Sequence, residues 1–292
     1  MKLTRFYVDG GAIHVGAATA YGVVDVTALG FGDDIVSLPT DALARSVELY
    51  TALYISMHSN TAYTTAHNGF LDPATLRYAP ITSPRKIICA GLNYRDHAEE
   101  TGGEAPEHPI LFTKYADTLA PHGAKIELPQ WLRCFDYEAE LVVVIGRAAY
   151  NIAEDDADDY IFGYTCGDDL SARDSQFLSN QWAAGKNFPD FAPTGPFITT
   201  ADEWQPDSKY IRTYVNGDLR QNGNTSDMIF SVRANVAAAS RYFALEPGDL
   251  VFTGTPAGVI LGKPKGSRVW LTRGDVVRVE IEGLGALENE LM

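Results

Sequence analysis

The stretch of this 292-residue chain richest in chemistry is Asp136-Tyr137-Glu138-Ala139-Glu140-Leu141, which runs straight into apolar Val142-Val143-Val144-Ile145. Residues two apart in a strand point to one face, so Glu138 and Glu140 lie side by side, roughly 7 Å apart at Cα. Two carboxylates at the mouth of an apolar strand repel each other unless a proton or a cation lies between them. Taken alone, the hexapeptide also fits a solvated edge pair. A second acidic cluster follows in Gly163 to Asp174, where Asp168-Asp169-Leu170-Ser171-Ala172-Arg173-Asp174 closes the segment. On its own it fits a polar loop in which Arg173 pairs with Asp174. Joined to the glutamates, Asp169 could complete an all-oxygen set. Three carboxylates plus water suit Mg²⁺, Mn²⁺ or Ca²⁺ rather than zinc.

Other side chains offer acid–base and charge-neutralising chemistry. His97 and Glu100 stand three apart and share a face if this stretch is helical, although a bare His-x-x-Glu more often marks a surface helix pair. The following Thr101-Gly102-Gly103-Glu104-Ala105-Pro106-Glu107 is hinge-like, as a lid over a site needs. Lys186, in Gly185-Lys186-Asn187, can neutralise an oxyanion, and Gln176 can donate to one. Ordinary surface polarity is the competing account, stronger for Gln176. Thr255 sits in a glycine-flanked turn and can offer hydroxyl and backbone donors to a carboxylate, unless the glycines serve backbone geometry alone. Lys114, at the end of Pro109-Ile110-Leu111-Phe112-Thr113-Lys114, is a second cation.

The elements that must hold these groups are mostly strands. Lys2 to Val8, Ala12 to Ala17 and Gly22 to Val26 alternate as strands, and Leu43, Val47, Tyr50 and Tyr54 line one face of a helix over 41–54. Pro73, Pro80 and Pro84 punctuate a crossing, so residues 1–75 read as a small α/β domain and 80–292 as a larger one. In the larger part, 86–90 and 139–145 read as buried strands. Val215-Asn216-Gly217-Asp218 carries the Asn-Gly of a type I′ hairpin turn. Pro247-Gly248-Asp249 and Arg273-Gly274-Asp275 are turns that precede strands. Helices are expected over 155–161, 230–243 and, briefly, 94–100.

Composition narrows the class of function. With 23 Lys and Arg against 38 Asp and Glu, the formal charge of −15 disfavours nucleic-acid binding. An acidic substrate must therefore be caught by local cations or a metal. Apolar runs such as 141–145 are too short to cross a membrane, and the start lacks a signal-peptide pattern, so a cytoplasmic protein is expected. Cys89, Cys134 and Cys166 form no zinc or disulfide pattern and suit a reducing compartment.

Four stretches in order, Lys86-Ile87-Ile88-Cys89-Ala90-Gly91-Leu92-Asn93-Tyr94-Arg95-Asp96-His97, Asp136 to Leu141, Ser171-Ala172-Arg173-Asp174, and Thr253-Gly254-Thr255-Pro256-Ala257-Gly258-Val259, resemble the fumarylacetoacetate hydrolase superfamily in its acylpyruvase-like branch. The resemblance covers about residues 80 to 292. It implies an α+β fold, with a small N-terminal α/β domain and a larger, mainly antiparallel β-roll or β-sandwich. It implies a metal on Glu138, Glu140 and Asp169, the last chosen over Asp168 because it directly precedes Leu-Ser-Ala-Arg-Asp. It further implies His97 as a base oriented by Glu100 and carried on a lid, with Arg173, Gln176, Lys186, Thr255 and Lys114 around a keto-acid substrate. The implied cofactor is Mg²⁺ or Mn²⁺, with Ca²⁺ possible, and the implied assembly is a homodimer. The implied reaction is hydrolysis of a C–C bond in 2,4-dioxo acids of acylpyruvate type. The alternative is a decarboxylase or isomerase acting on oxaloacetate, or on keto acids from aromatic-ring or deoxy-sugar catabolism, through the same enolate.

Overall fold

Alternating apolar residues lay the opening segment down as β1 (Lys2–Tyr7), β2 (Ile13–Thr19) and β3 (Gly22–Asp25), an antiparallel meander within two residues of the expected bounds. The computed structural model describes residues 1–58 and 69–292; residues 59–68, inside the expected N-terminal domain, lie outside that set. Helix α1 (Thr40–His58) buries Leu43 and Val47, one turn apart, against Leu3, Val15 and Val24 of the meander.

Next come β4 (Ile87–Gly91), α2 (Arg95–Glu100), β5 (Ile110–Lys114), β6 (Leu119–Pro121), β7 (Lys125–Ile126) and β8 (Phe135–Asp136). The middle holds β9 (Ala139–Ile145), β10 (Ile161–Asp168), β11 (Ser171–Ala172), α3 (Arg173–Gln176), α4 (Ala183–Lys186) and β12 (Ala192–Thr200). The chain closes with β13 (Tyr210–Val215), β14 (Asp218–Asn224), α5 (Val232–Tyr242), β15 (Leu250–Phe252), β16 (Val276–Ile281) and β17 (Gly285–Leu291).

These elements make an α+β fold dominated by sheet. A ten-stranded sheet runs β3-β2-β1-β12-β10-β9-β15-β4-β5, with β6 beside β12, and a five-stranded sheet runs β14-β13-β16-β17-β7. Pairing is mainly antiparallel; β4–β15, β6–β12 and β7–β17 are parallel. Because β1 pairs with β12, placing Lys2 opposite Thr199, the opening meander extends the same sheet as the rest of the chain. The expected hairpin joins β13 to β14, with Asn216 and Gly217 both at positive φ (52° and 85°), as a type I′ turn needs.

One expected helix takes another form. Glu154–Tyr160 is a 3₁₀ helix, in which Ala157 alone is buried. Aspartate is a weak helix former, and a single buried side chain gives little packing to hold a full α-turn.

Strand β9 is the hinge of the core. Ala139, Leu141, Val143 and Ile145 face one apolar cluster with Val236 and Val279, while Val142 and Val144 face another with Leu3, Leu43 and Phe252. That period-two alternation also decides which way Glu138 and Glu140 point.

Candidate active site

Glu138 and Glu140 share the strand face that continues as Val142 and Val144. Strand β10 runs antiparallel to β9 with Gly167 opposite Glu140 and Asp168 opposite Ala139. One step further, the Asp169 amide donates to the Glu138 carbonyl at 2.9 Å, so Asp169 stands across from Glu138. Directly opposed residues in a pair of strands project to one side. The three carboxyl groups thus converge, with one oxygen from each lying within 4.8 Å of the others. Asp168 points elsewhere: its carboxylate accepts the Glu138 amide at 2.7 Å and braces the entry to β9. Burial, aided by nearby Asp169 and Glu138 and opposed by that amide, pushes the Asp168 carboxyl up to about 8.

Three buried cations are threaded through this cluster. Lys186 donates to Glu138 Oε2 and Asp169 Oδ2, each at 2.6 Å. Lys114 donates to Asp169 Oδ1 at 2.5 Å, and Arg173 reaches Glu138 Oε1 at 2.6 Å. Two other N–H groups of Arg173 meet Asp136 Oδ2 at 2.9 Å and Gln176 Oε1 at 2.8 Å. Burial alone would raise the Glu138 carboxyl, but Lys186 and Arg173 outweigh it and hold it below the usual carboxylate range. Burial alone would likewise lower Lys186 and Arg173, yet their carboxylate partners raise both.

Glu140 is the exception. Among the described residues its carboxylate accepts one hydrogen bond, from the Gly254 amide at 2.7 Å, and no ion pair. Burial, together with the charges of Asp169 and Glu138, pushes it well above the ordinary carboxylate value. The cluster is therefore short of positive charge at Glu140. An all-carboxylate oxygen donor set with one acid lacking a counter-ion fits a hard divalent cation.

His97 and Glu100 lie on α2, one turn apart, and His97 Nδ1 is 3.0 Å from Glu100 Oε1. Glu100 is in turn held by the Gly258 amide, at 3.1 and 3.0 Å from its two oxygens. The Gly254–Leu261 loop therefore grips three acids through backbone donors: Glu140 from Gly254, Glu100 from Gly258, and Asp136 from Ile260 and Leu261. Thr255 is fixed by Gln221, whose side-chain amide donates to its hydroxyl at 2.8 Å.

A cavity of about 240 Å³ opens over these groups, and His97, Glu138, Glu140, Arg173, Gln176, Lys186 and Thr255 all line it. Asp169 and Lys114 lie buried behind it, and Glu100 stands behind His97. All ten residues singled out from the sequence thus belong to one neighbourhood. Three contributors were not singled out. Asp136 lay within the acidic motif but shows its use only once Arg173 folds onto it. Gln221 is a buried glutamine in the otherwise solvent-facing middle of β14, and nothing local marks it. Trp182, which lines the cavity beside Phe112, sits in a polar loop of the sequence.

Known proteins of similar sequence and structure bear on this geometry. A family model described as fumarylacetoacetate (FAA) hydrolase C-terminal matches residues 86–292. The chain is 46% identical over 218 residues to the mitochondrial oxaloacetate tautomerase fahd2 of Xenopus laevis, covering 73% of this chain and 67% of that protein. It superposes on the 5-carboxymethyl-2-hydroxymuconate delta-isomerase of Mycobacterium smegmatis with a TM-score of 0.76 at 29% identity, covering 100% of this chain and 98% of that one. It also superposes on the fumarylpyruvate hydrolase of Pseudomonas aeruginosa in complex with Mn²⁺ and pyruvate, with a TM-score of 0.65 at 34% identity, covering 72% of this chain and 90% of that one.

Proposed function

The chain belongs to the fumarylacetoacetate hydrolase family, and we propose that within it the protein is a divalent-metal-dependent keto–enol isomerase of small 2-oxo acids, with oxaloacetate as the leading substrate. The observation that carries this reading is a single cavity lined by the His97 ring and by the Glu138 and Glu140 carboxylates, with Arg173 and Lys186, both paired to Glu138, lining it as well. Likeness to an oxaloacetate tautomerase and to a delta-isomerase, neither of which requires an attacking water, favours isomerisation over hydrolysis.

Glu138, Glu140 and Asp169 would hold Mg²⁺ or Mn²⁺, which supplies Lewis acidity toward the oxygens of a 2-oxo acid when bound. The chain's own residues then need to move one proton. His97, with Nδ1 turned to Glu100, has Nε2 free to remove a proton from C3 of the substrate. The C–H electron pair becomes the C2–C3 double bond, and the former carbonyl π pair moves onto the 2-oxygen. Lys186 and Gln176 neutralise and donate to that oxygen, and protonation there completes the enol. Arg173 and Thr255 offer donors to the substrate carboxylate, while Lys114 keeps Asp169 in place. Run backwards, the same steps ketonise an enol.

Tautomerisation breaks no C–C bond, which gives a clean test. Enol-oxaloacetate mixed with the Mn²⁺- or Mg²⁺-loaded protein should ketonise faster than in buffer, with the enol absorbance decaying in proportion to enzyme. No acceleration, with pyruvate released from acylpyruvates instead, would replace this reading by the hydrolytic one. That second reading has one specific support, the likeness to a fumarylpyruvate hydrolase holding Mn²⁺ and pyruvate. It would use the same His97 to activate water rather than to take a C3 proton.

A further inference from the structure

The cavity has a polar floor and also an apolar wall. Leu92, Phe112, Phe177, Trp182 and Leu261 line it together with the acids and their cations. Phe112 and Trp182 pack edge to face with ring centroids 5.5 Å apart, and Lys186 Nζ lies 5.4 Å from the Phe112 ring centre, where the polar floor meets the aromatic wall. Trp182 can lie where it does because residue 91 is glycine; any Cβ there would collide with the indole.

Leu92 shows that the wall is maintained against local preference. Its φ is +53°, in the left-handed region that a leucine side chain disfavours. Such strain persists where the surroundings over-determine it, and it clusters at functional sites. Here the surroundings are clear. The next residue, Asn93, is pinned by donation to the Thr253 carbonyl at 2.7 Å and by acceptance from the Phe230 amide at 2.8 Å. The strained turn delivers an isobutyl group into the cavity rather than a polar one. Phe177, 56% exposed at the cavity mouth, is a further apolar group left facing water.

Size points the same way. An apolar cavity of about 150 Å³ is enough to take up benzene. A cavity of about 240 Å³ therefore has space for a pyruvyl unit at the polar floor and a ring at the wall. Among the described residues, the lysine and arginine that line the cavity, Lys186 and Arg173, both sit at the acid cluster, and no further lysine or arginine lines it for a second substrate carboxylate.

We propose that the site takes 2-oxo acids bearing a ring-sized apolar substituent on C3, that is, 3-aryl or 3-cycloalkyl pyruvates, as substrates of the same keto–enol exchange, with Trp182, Phe112 and Leu92 selecting the substituent. This rests on the isomerase reading of the site. The reaction is balanced as before: one proton passes between C3 and the 2-oxygen and no co-reactant enters.

The test is the metal-loaded protein with the enol of phenylpyruvate beside the enol of oxaloacetate. The expected result is a kcat/KM for phenylpyruvate at least equal to that for oxaloacetate. The ratio of the two should fall tenfold or more in Trp182→Ala and several-fold in Phe177→Ser, which alters an exposed side chain and so tests the wall even if the first variant folds poorly. Phenylpyruvate should also quench tryptophan fluorescence in the wild type, and the quench should be largely lost in Trp182→Phe. Acceleration with oxaloacetate but none with phenylpyruvate would overturn the substrate class and leave the isomerase reading standing. An unchanged ratio in both wall variants would overturn the selecting role. Turnover of neither enol would sink the isomerase reading and this one with it.

Discussion

Glu140 is the acid on which the charge balance of the site turns. Its neighbours Glu138 and Asp169 are each paired to a buried cation, whereas among the described residues Glu140 has the Gly254 amide alone. Removing its charge while keeping an acceptor therefore has a distinctive consequence. In the metal-free protein Glu140→Gln should melt no lower than wild type, because a like-charge repulsion is lost. Saturating Mn²⁺, at about 100 times its dissociation constant, should raise the wild-type melting temperature by roughly 4 °C, and calorimetry should show that rise abolished in the variant. A retained shift would move the metal elsewhere. His97 makes the complementary prediction. His97→Gln should lower kcat by about 10²–10⁴-fold, the usual share of a general base, while the Mn²⁺ shift in melting temperature survives. Loss of both together would mean that His97 holds the metal rather than a proton.

At the level of elements, the Gly254–Leu261 loop ties the acid–base pair to the carboxylates. It donates to Glu140, Glu100 and Asp136 in turn, so displacing one contact disturbs groups that are far apart in sequence. Gly262, just beyond it, faces the Glu100 carboxylate so closely that a Cβ would collide with it. The obstructing atoms are the end of a flexible side chain, which gives way more cheaply than backbone. Gly262→Ala should therefore cost only about 1–3 kcal/mol in stability, the usual range for overpacking, yet it turns Glu100 away from His97. The expected kinetic signature is a fall in kcat with a small change in KM; the reverse pattern would show that Glu100 serves binding rather than the histidine. The short α2 and the antiparallel β9–β10 pair are the elements whose geometry the site cannot do without.

Over the whole molecule, the net charge of −15 sets how an acidic substrate arrives. Glu138, Asp169 and Asp136 are paired to the internal cations Lys114, Arg173 and Lys186, so the exterior field remains that of an acidic protein. A dianion such as oxaloacetate is repelled at long range and is held only once inside. Added salt screens that repulsion beyond about 10 Å at 0.1 M. The kcat/KM for oxaloacetate should therefore rise, roughly twofold or more, between very low ionic strength and 0.15 M. A fall over the same range would mean that the cations in the cavity steer the substrate from a distance. For a monoanionic aryl pyruvate the rise should be smaller, because its charge is half as large.

The sequence by itself determined the local half of this protein. Strand-like patterning gave β1 to β3, a short apolar run gave β9, the Asn216-Gly217 pair gave the hairpin turn, and a strand through Glu138 and Glu140 put both acids on one face because side chains in a strand alternate. Helical spacing likewise set His97 one turn from Glu100. What the chain could not state locally was register and approach. That Asp169 rather than Asp168 joins the glutamates follows from the antiparallel pairing of β10 on β9, which sets Asp169 opposite Glu138 and turns Asp168 to the Glu138 amide. Asp136 holding Arg173, Gln221 holding Thr255, and Trp182 lying on Gly91 depend on segments 37, 34 and 91 residues apart meeting in space. Likewise, Lys114, Arg173 and Lys186 become partners of the carboxylates only after burial removes the water that would otherwise solvate each ion separately. Periodicity fixes the direction of a side chain within its own element; which groups it meets is decided by the pairing of elements and by the desolvation of what lies between them.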